Sequence, residues 1–336
     1  QQALRSMQTA GARCVVSEVS SHAMDQGRVR GVTYDHAVLT HLTRDHLDYH
    51  GDLESYAEAK RKLFHSDGLR YAVINADDNF GSALLDAIPP GVAPIAYRLE
   101  NDPFRTRFPA QWVIGRNLQF DVNGLSMDVQ TPWGSGSLHC GLLGRFNASN
   151  LLATLASLCV VGLPFQEALR RLAVTRTVPG RMERFDMGEG RPLAVIDFAH
   201  TAAALEAVLR SLRAHCGGKL WCVFGAGGDR DRGKRSLMGA VAERYADEIV
   251  LTDDNPRTED AQRIIDDICS GLKQPATVHI EHDRAHAIGW AMRHAGAEDI
   301  VLIAGKGHES VQIVGNRAVP FSDRERVRAI AREWSR

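Results

Sequence analysis

Short apolar runs alternate with stretches of helical periodicity along most of the chain. Cys14-Val15-Val16, His36-Ala37-Val38-Leu39-Thr40 and Tyr71-Ala72-Val73-Ile74-Asn75 read as buried strands. Residues 1–9 read as helical and lead directly into the first of these strands. Residues 53–64 have helical spacing, with Leu53, Tyr56, Ala57, Leu63 and Phe64 on the apolar face, and another helix is predicted after Asp77-Asp78, to about residue 87. This alternation argues a parallel sheet with crossover helices. From 92 to 143 the texture changes to period two: Leu118, Phe120 and Val122, a turn at Asn123-Gly124, then Leu125, Met127 and Val129. That predicts an antiparallel sheet appended to the parallel core, followed by helices at 147–161 and 165–172.

The segment VTRTVPG, residues 174–180, reads as a hinge, which divides the chain into domains 1–176 and 177–336. Beyond it, apolar runs at 193–199, 220–224, 248–252, 276–280 and 299–304 alternate with helical stretches at 203–214, 235–246, 260–271 and 284–295. The pattern is that of a doubly wound, Rossmann-like α/β domain.

Composition narrows the function classes. Among 336 residues, 40 basic and 41 acidic side chains leave a net charge of −1, so no global field recruits nucleic acid or an anionic membrane. No window of about 18 uninterrupted apolar residues exists, which excludes a predicted membrane-spanning helix. The six cysteines form no C-x-x-C pair; Cys14, Cys159 and Cys222 lie in apolar runs, the usage of reduced, buried thiols in a cytoplasmic protein.

Three residues in the first domain suggest metal chemistry: Glu18 at a strand end, His46 in a loop, and Lys60 beside Tyr56, Ala57, Leu63 and Phe64 on its helix. Burial favours the neutral amine of a lysine. A neutral amine can take up carbon dioxide and become a carbamate, which with a carboxylate and an imidazole suits Mg²⁺. The pattern alone also permits a Lys60 that snorkels to solvent, with His46 and Glu18 as ordinary loop and strand-end residues. In the second domain, charge and glycine gather just past the strand ends, where open parallel sheets bind ligands. Asp197 and His200 follow the first strand, 225–232 the second, 253–257 the third and 305–309 the fifth. Gly228 to Lys234 nearly matches a phosphate loop, but Arg235 stands where a hydroxyl is needed and the intervening acids would repel phosphate.

EVSSH, LTRDHLDYHG and YAEAK resemble the middle domain of the Mur ligases, the ATP-dependent amino-acid-adding enzymes of peptidoglycan synthesis, and most of all the MurE type. PGRMERF, DFAHT, FGAGGDRDRGKR, TDDNPRTE, AGKGHE and FSDRE extend the likeness over essentially the whole chain. The resemblance implies Mg²⁺ on Glu18, His46 and carbamylated Lys60, and a UDP-muramyl dipeptide held by Ser20, Gln26 and Arg28. It places Asn147 or Asn150 near the adenine of ATP, although such an Asn is as readily a helix cap. Arg181, Asp197 and His200 match motifs near the ATP, and Arg230, Asp254, Asn255, Pro256, Arg257, Gly305 and Glu309 would surround diaminopimelate. Ala202 and Phe198 are mild departures from a usual proline and tyrosine.

The implied architecture is a partial Mur ligase central ATPase domain followed by a Rossmann-like domain. The implied reaction joins meso-2,6-diaminopimelate to UDP-N-acetylmuramoyl-L-alanyl-D-glutamate through an acyl phosphate, in a cytoplasmic monomer. Because the family's P-loop precedes EVSSH, the chain is expected to begin inside a domain and to be inactive alone. A lysine-adding homologue, a folyl-polyglutamate synthetase and a non-catalytic substrate-binding module are the alternatives.

Overall fold

A computed structural model describes residues 2–42, 47–99 and 110–335. The chain divides into two compact units, one of residues 1–118, 127–138 and 148–172, the other of 119–126, 139–147 and 173–336.

The first half of the chain contains α1 (Gln2–Thr9), α2 (Ser21–Asp25), β1 (His36–Leu39), α3 (Leu47–His50), α4 (Leu53–Phe64), β2 (Tyr71–Asn75) and α5 (Asn79–Leu85). It continues through β3 (Ala93–Leu99), β4 (Gln111–Asp121), β5 (Gly124–Thr131), β6 (Gly134–Cys140), α6 (Arg145–Val160) and α7 (Phe165–Ala173). The six strands form one sheet in the order β1-β2-β3-β4-β5-β6. The first four are parallel. β4, β5 and β6 follow one another through two-residue turns, which only antiparallel neighbours allow. Ala37, Leu39, Ala72, Ile74 and Ala96 pack with Phe64 of α4 and Leu84 and Leu85 of α5 to form the core here.

Three expectations need correction. Residues 14–18 form no strand, with Val16 94% exposed and Cys14 an exposed thiol. An apolar run becomes a strand only when its N–H and C=O groups meet another strand, and β1 has no second neighbour among the described residues. The antiparallel part expected over residues 92–143, appended to the parallel core, begins later than 92: β3 and β4 first extend the parallel ladder, and β5 and β6 then continue the same sheet. On α4 the buried stripe is Tyr56, Ala59 and Phe64, while Leu53 in the first turn is exposed.

The second half is built from β7 (Glu183–Phe185), β8 (Leu193–Asp197), α8 (Ala202–Arg213), β9 (Leu220–Phe224), α9 (Gly233–Tyr245), β10 (Glu248–Leu251) and α10 (Ala261–Cys269). Then come β11 (His279–Ile280), α11 (Arg284–His294), β12 (Ile300–Ala304), β13 (Val311–Val314), β14 (Arg317–Pro320) and α12 (Asp323–Trp334). The sheet order is β11-β10-β9-β12-β8-β7, parallel except for β7. Period-two alternation splits each strand between two helical layers. Val195, Cys222, Phe224, Leu251 and Leu302 face α8, α9 and α10, while Ala194, Ile196, Val223, Val250, Val301 and Ile303 face α11 and α12. Strand order reverses between β9 and β12, so the crevice beyond their carboxyl ends is the place this topology reserves for a ligand.

Candidate functional site

In the first unit, α2, α3 and α4 bring one group of side chains together. Ser20 caps α2, its Oγ accepting from Ala23 N at 3.1 Å. Next to it, buried Ser21 meets Nε2 of His50 at 2.9 Å. His22 lies 4.2 Å from the Tyr49 ring and 5.4 Å from His50, which is 5.4 Å from Tyr56. Lys60 is half-buried, with Nζ 5.2 Å from the centre of the Tyr56 ring. Asp25 ties the helices together by accepting from Lys62 Nζ at 2.8 Å and Tyr49 Oη at 3.0 Å, bonds that lower its pKa. Gln26 and Arg28 are exposed just after α2, and Glu18 is exposed just before it. His46 lies outside the described residues. Among the described residues no cluster of three or more His, Cys, Asp or Glu could hold a metal. Near the start of α6, Asn147 donates to Leu143 O at 2.8 Å, and Asn150 is exposed.

The second unit holds a denser site, built on the loops after β8, β9, β10 and β12. After β8, Asp197 accepts from Met182 N and Ala199 N, both at 2.8 Å, so each of its oxygens is committed to backbone. Burial nevertheless raises its pKa. Arg181 lies over the Phe198 ring at 4.9 Å, and His200 is exposed, with Nδ1 2.7 Å from Phe198 O. Lys234, the lysine of the near-phosphate loop, donates instead to His200 O at 2.9 Å.

After β10 and β12 the polar groups close into a network. Lys306 is wholly buried and donates from Nζ to Asn255 Oδ1 at 2.9 Å and to Glu309 Oε2 at 2.8 Å. Asn255 Nδ2 donates to the same Glu309 oxygen at 2.9 Å, and Ile313 N donates to Asn255 Oδ1 at 2.9 Å. Burial alone would raise the Glu309 carboxyl, but the bonds from Lys306 and Asn255 outweigh it and hold its pKa below the ordinary value. Asp254 is different. The residue is 8% exposed, its carboxylate takes no hydrogen bond among the described residues, and burial raises its pKa against the pull of Arg284 and Lys306. Gly305 makes room for it: φ is +114°, and a Cβ there would lie 2.4 Å from Asp254 Oδ2.

Arg257 has left-handed backbone (φ 51°), tied to the β13–β14 hairpin through Ile313 O and Gly315 N. One Nη1–H reaches Gly228 O at 2.7 Å, and the other guanidinium N–H groups have no partner among the described residues. Buried Pro256 is packed so closely on the β9 loop that a Cβ at Gly228 would lie 1.9 Å from its carbonyl oxygen. Arg230 is exposed beside Gly227. Of the second-domain residues singled out in the sequence, Asp254, Asn255, Pro256, Arg257, Gly305 and Glu309 are thus assembled around one crevice.

Sequence reasoning missed Lys306, although its position between two glycines in AGKGHE was a usable signal. It also missed Arg284, buried with Nε 2.7 Å from Asp323 Oδ1 and Nη2 2.9 Å from Ala304 O. A buried charge and a surface charge look alike in a one-dimensional pattern.

A doubly wound parallel sheet with charged, glycine-rich loops past its strand ends defines a ligand-binding α/β protein. Comparison with known proteins narrows that class to a family. Residues 1–158 match the Mur ligase middle domain, and residues 180–307 match the domain described as Mur ligase, glutamate ligase domain. The chain belongs to the Mur ligase family. It is 49% identical over 325 residues to the UDP-N-acetylmuramoyl-L-alanyl-D-glutamate–2,6-diaminopimelate ligase of Coxiella burnetii, covering 97% of this chain and 66% of that protein. It is 50% identical over 327 residues to the enzyme of the same name from Alkalilimnicola ehrlichii, covering 97% and 64%. A solved structure of a ligase of that name superposes with a TM-score of 0.78 at 37% identity, over 100% of this chain and 68% of the other. The chain therefore spans about two thirds of the length of the curated relatives it matches. A pseudomurein peptide ligase type C from Methanothermus fervidus, at 18% identity and a TM-score of 0.57, shares the fold. No helix among the described residues is long and apolar enough to cross a membrane.

Proposed function

We propose that the protein joins meso-2,6-diaminopimelate to UDP-N-acetylmuramoyl-L-alanyl-D-glutamate at the expense of ATP, in the cytoplasm, where both nucleotides are made and used. The observation that carries this reading is the charge pattern of the crevice. Diaminopimelate has two ammonium and two carboxylate groups, and the crevice offers two acids, Asp254 and Glu309, and two arginines, Arg230 and Arg257, to receive them. The open N–H groups of Arg257 suit a distal carboxylate, because a guanidinium can hold one by two parallel bonds. Lysine lacks that carboxylate, which disfavours a lysine-adding enzyme.

In the proposed reaction the γ-phosphoryl group of ATP passes to the D-glutamyl carboxylate. The amine of diaminopimelate then attacks the acyl carbon, phosphate leaves, and the amine loses a proton. Ser20, Gln26 and Arg28 would bind the UDP-muramyl peptide, Asn147 or Asn150 the adenine, and Arg181 and His200 the ATP side of the reaction. Asp197, with both oxygens fixed by backbone, would hold the Met182 turn beside Arg181 rather than exchange protons. Glu18, His46 and Lys60 as a carbamate have the oxygen and nitrogen donors that suit Mg²⁺, which when bound neutralises phosphoryl charge. The domains proposed for this work are 1–176 for ATP and metal and 177–336 for the amino acid.

The test is phosphate release by the protein expressed from its full reading frame. Release should require ATP, the UDP-muramyl dipeptide and meso-diaminopimelate together, and fall to background when lysine replaces diaminopimelate. Equal turnover with lysine would overturn the substrate assignment. Tight binding of both substrates without any release would favour a binding module.

A further inference from the structure

We infer that Lys306 is a positioning residue, which fixes the Asn255 amide and the Glu309 carboxylate in the one arrangement that can receive the incoming amino acid. This rests on the reading of the crevice as the diaminopimelate site.

A lysine with no exposed surface is uncommon, because an ammonium is costly to bury unless it is paired. Two of the three Nζ–H donors are given to Asn255 Oδ1 and Glu309 Oε2, so little is left for a substrate. What Lys306 does, it does through these neighbours. It settles which way the Asn255 amide points: Oδ1 faces two donors, Lys306 Nζ and Ile313 N, and Nδ2 faces Glu309. Glu309 Oε2 thereby takes two donors from the protein, whereas Oε1 takes none among the described residues. The carboxylate is held by one oxygen and presents the other, from a side chain 32% exposed, to whatever enters.

Lys306 also stands between two acids. Burial first, and then the charges of Glu309 and Asp323, oppose ionisation of Asp254, and Arg284 and Lys306 counter them. Arg284 acts on Asp254 by charge alone: its hydrogen bonds, from Nε and Nη2, go to Asp323 and Ala304 O, and none reaches Asn255 or Glu309 among the described residues. Without the ammonium, the crevice would lose the orientation of Glu309 and the charge that keeps both acids available to an amine.

The experiment is calorimetric titration of meso-diaminopimelate into wild type, Lys306→Met, Glu309→Gln and the double variant, with a thermal melt of each. Losing one partner of a buried charge pair commonly weakens binding by roughly 30-fold or more, and Lys306→Met should do so. The double variant should bind no more weakly than Glu309→Gln alone, because Lys306 acts through that carboxylate. A purely structural lysine would instead lower the melting temperature and give additive losses in binding, and that pattern would overturn the inference. If Lys306→Met does not fold, the ammonium spectrum of ¹⁵N-lysine-labelled wild type decides. One slowly exchanging ammonium signal that shifts on saturation with meso-diaminopimelate supports the inference, and the absence of any protected or shifting signal refutes it. A wild type that binds no diaminopimelate removes the functional reading and this inference together. A wild type that binds, with Lys306→Met binding equally well, removes the inference alone.

Discussion

Arg235 is wholly buried at the start of α9, with Nη2 2.9 Å from Glu259 Oε1 and Nη1 3.0 Å from Glu259 Oε2. The same carboxylate accepts from Asp229 N at 2.5 Å and from Arg232 Nη2 at 2.9 Å. Asp229 in turn accepts from the Thr258 hydroxyl at 2.8 Å. These bonds fasten the loop after β9 to the loop after β10, the two walls that carry Arg230 and Arg257. The residue that breaks the phosphate-loop pattern in the sequence is therefore the anchor of this joint.

The first prediction concerns that anchor. The Arg235 hydrogen bond pulls the Glu259 carboxyl from 4.5 down to about 2. A depressed carboxyl contributes stability above its unfolded pKa and loses it as pH falls through the folded value. Glu259→Gln should cost about 1.5–3 kcal/mol at neutral pH, as expected for a hydrogen bond to a charged group. Melting curves of both proteins across the acid range check this. The gap should be full above pH 4.5 and close as pH falls towards 2, the window set by the two values. A gap that did not change with pH would deny the ionic role.

The second concerns Arg257. Its unpaired N–H groups should select diaminopimelate over lysine, since a bound lysine leaves the guanidinium unmatched at a cost of roughly 2–5 kcal/mol. That corresponds to about 30-fold to several-thousand-fold in kcat/KM. Arg257→Ala should erase most of this preference. Similar ratios for wild type and variant would show that selection lies elsewhere.

The third concerns Asp254, a buried carboxylate with no hydrogen-bond donor among the described residues. Burial raises its pKa, so ionisation opposes folding: the penalty is absent below the unfolded pKa and grows as pH rises through the folded one. Asp254→Asn should raise the melting temperature at pH 7, lose that gain in acid, and bind meso-diaminopimelate at least about 10-fold more weakly, as expected when a charged hydrogen-bond partner is removed. Unfolding curves and titrations on the same samples test both halves. A variant less stable at neutral pH would show that the carboxylate is already well paired.

The fourth concerns Lys60, half-buried against Tyr56 on α4. If it is a carbamate in the working enzyme, Lys60→Ala should lose nearly all ligation, and short carboxylic acids should restore part of it. Full activity without the lysine, or no rescue at any acid concentration, would count against the modification.

Much of the second half was legible in the chain itself. The strands β8, β9 and β12 are buried on both faces, which writes each as an apolar run, and the helices between them keep the 3.6-residue stripe. Glycine and charge just past such runs point to the crevice because nothing in folding calls for them there. The sequence could not say that residues 14–18 would stay unpaired, since a strand exists only through a neighbour. Nor could it say that the segment after residue 92 would begin by extending the parallel ladder, because the pairing partner of β3 is set across space. It was silent on Lys306, Arg284 and Glu259 for the same reason. Whether a charge is buried and paired depends on residues tens of positions away, and only packing brings Asn255 to Lys306 or Asp323 to Arg284. Local spacing determined which segments would be strands or helices and where the chemistry would gather; tertiary contact decided which charges are held, which are left open, and hence what the crevice can bind.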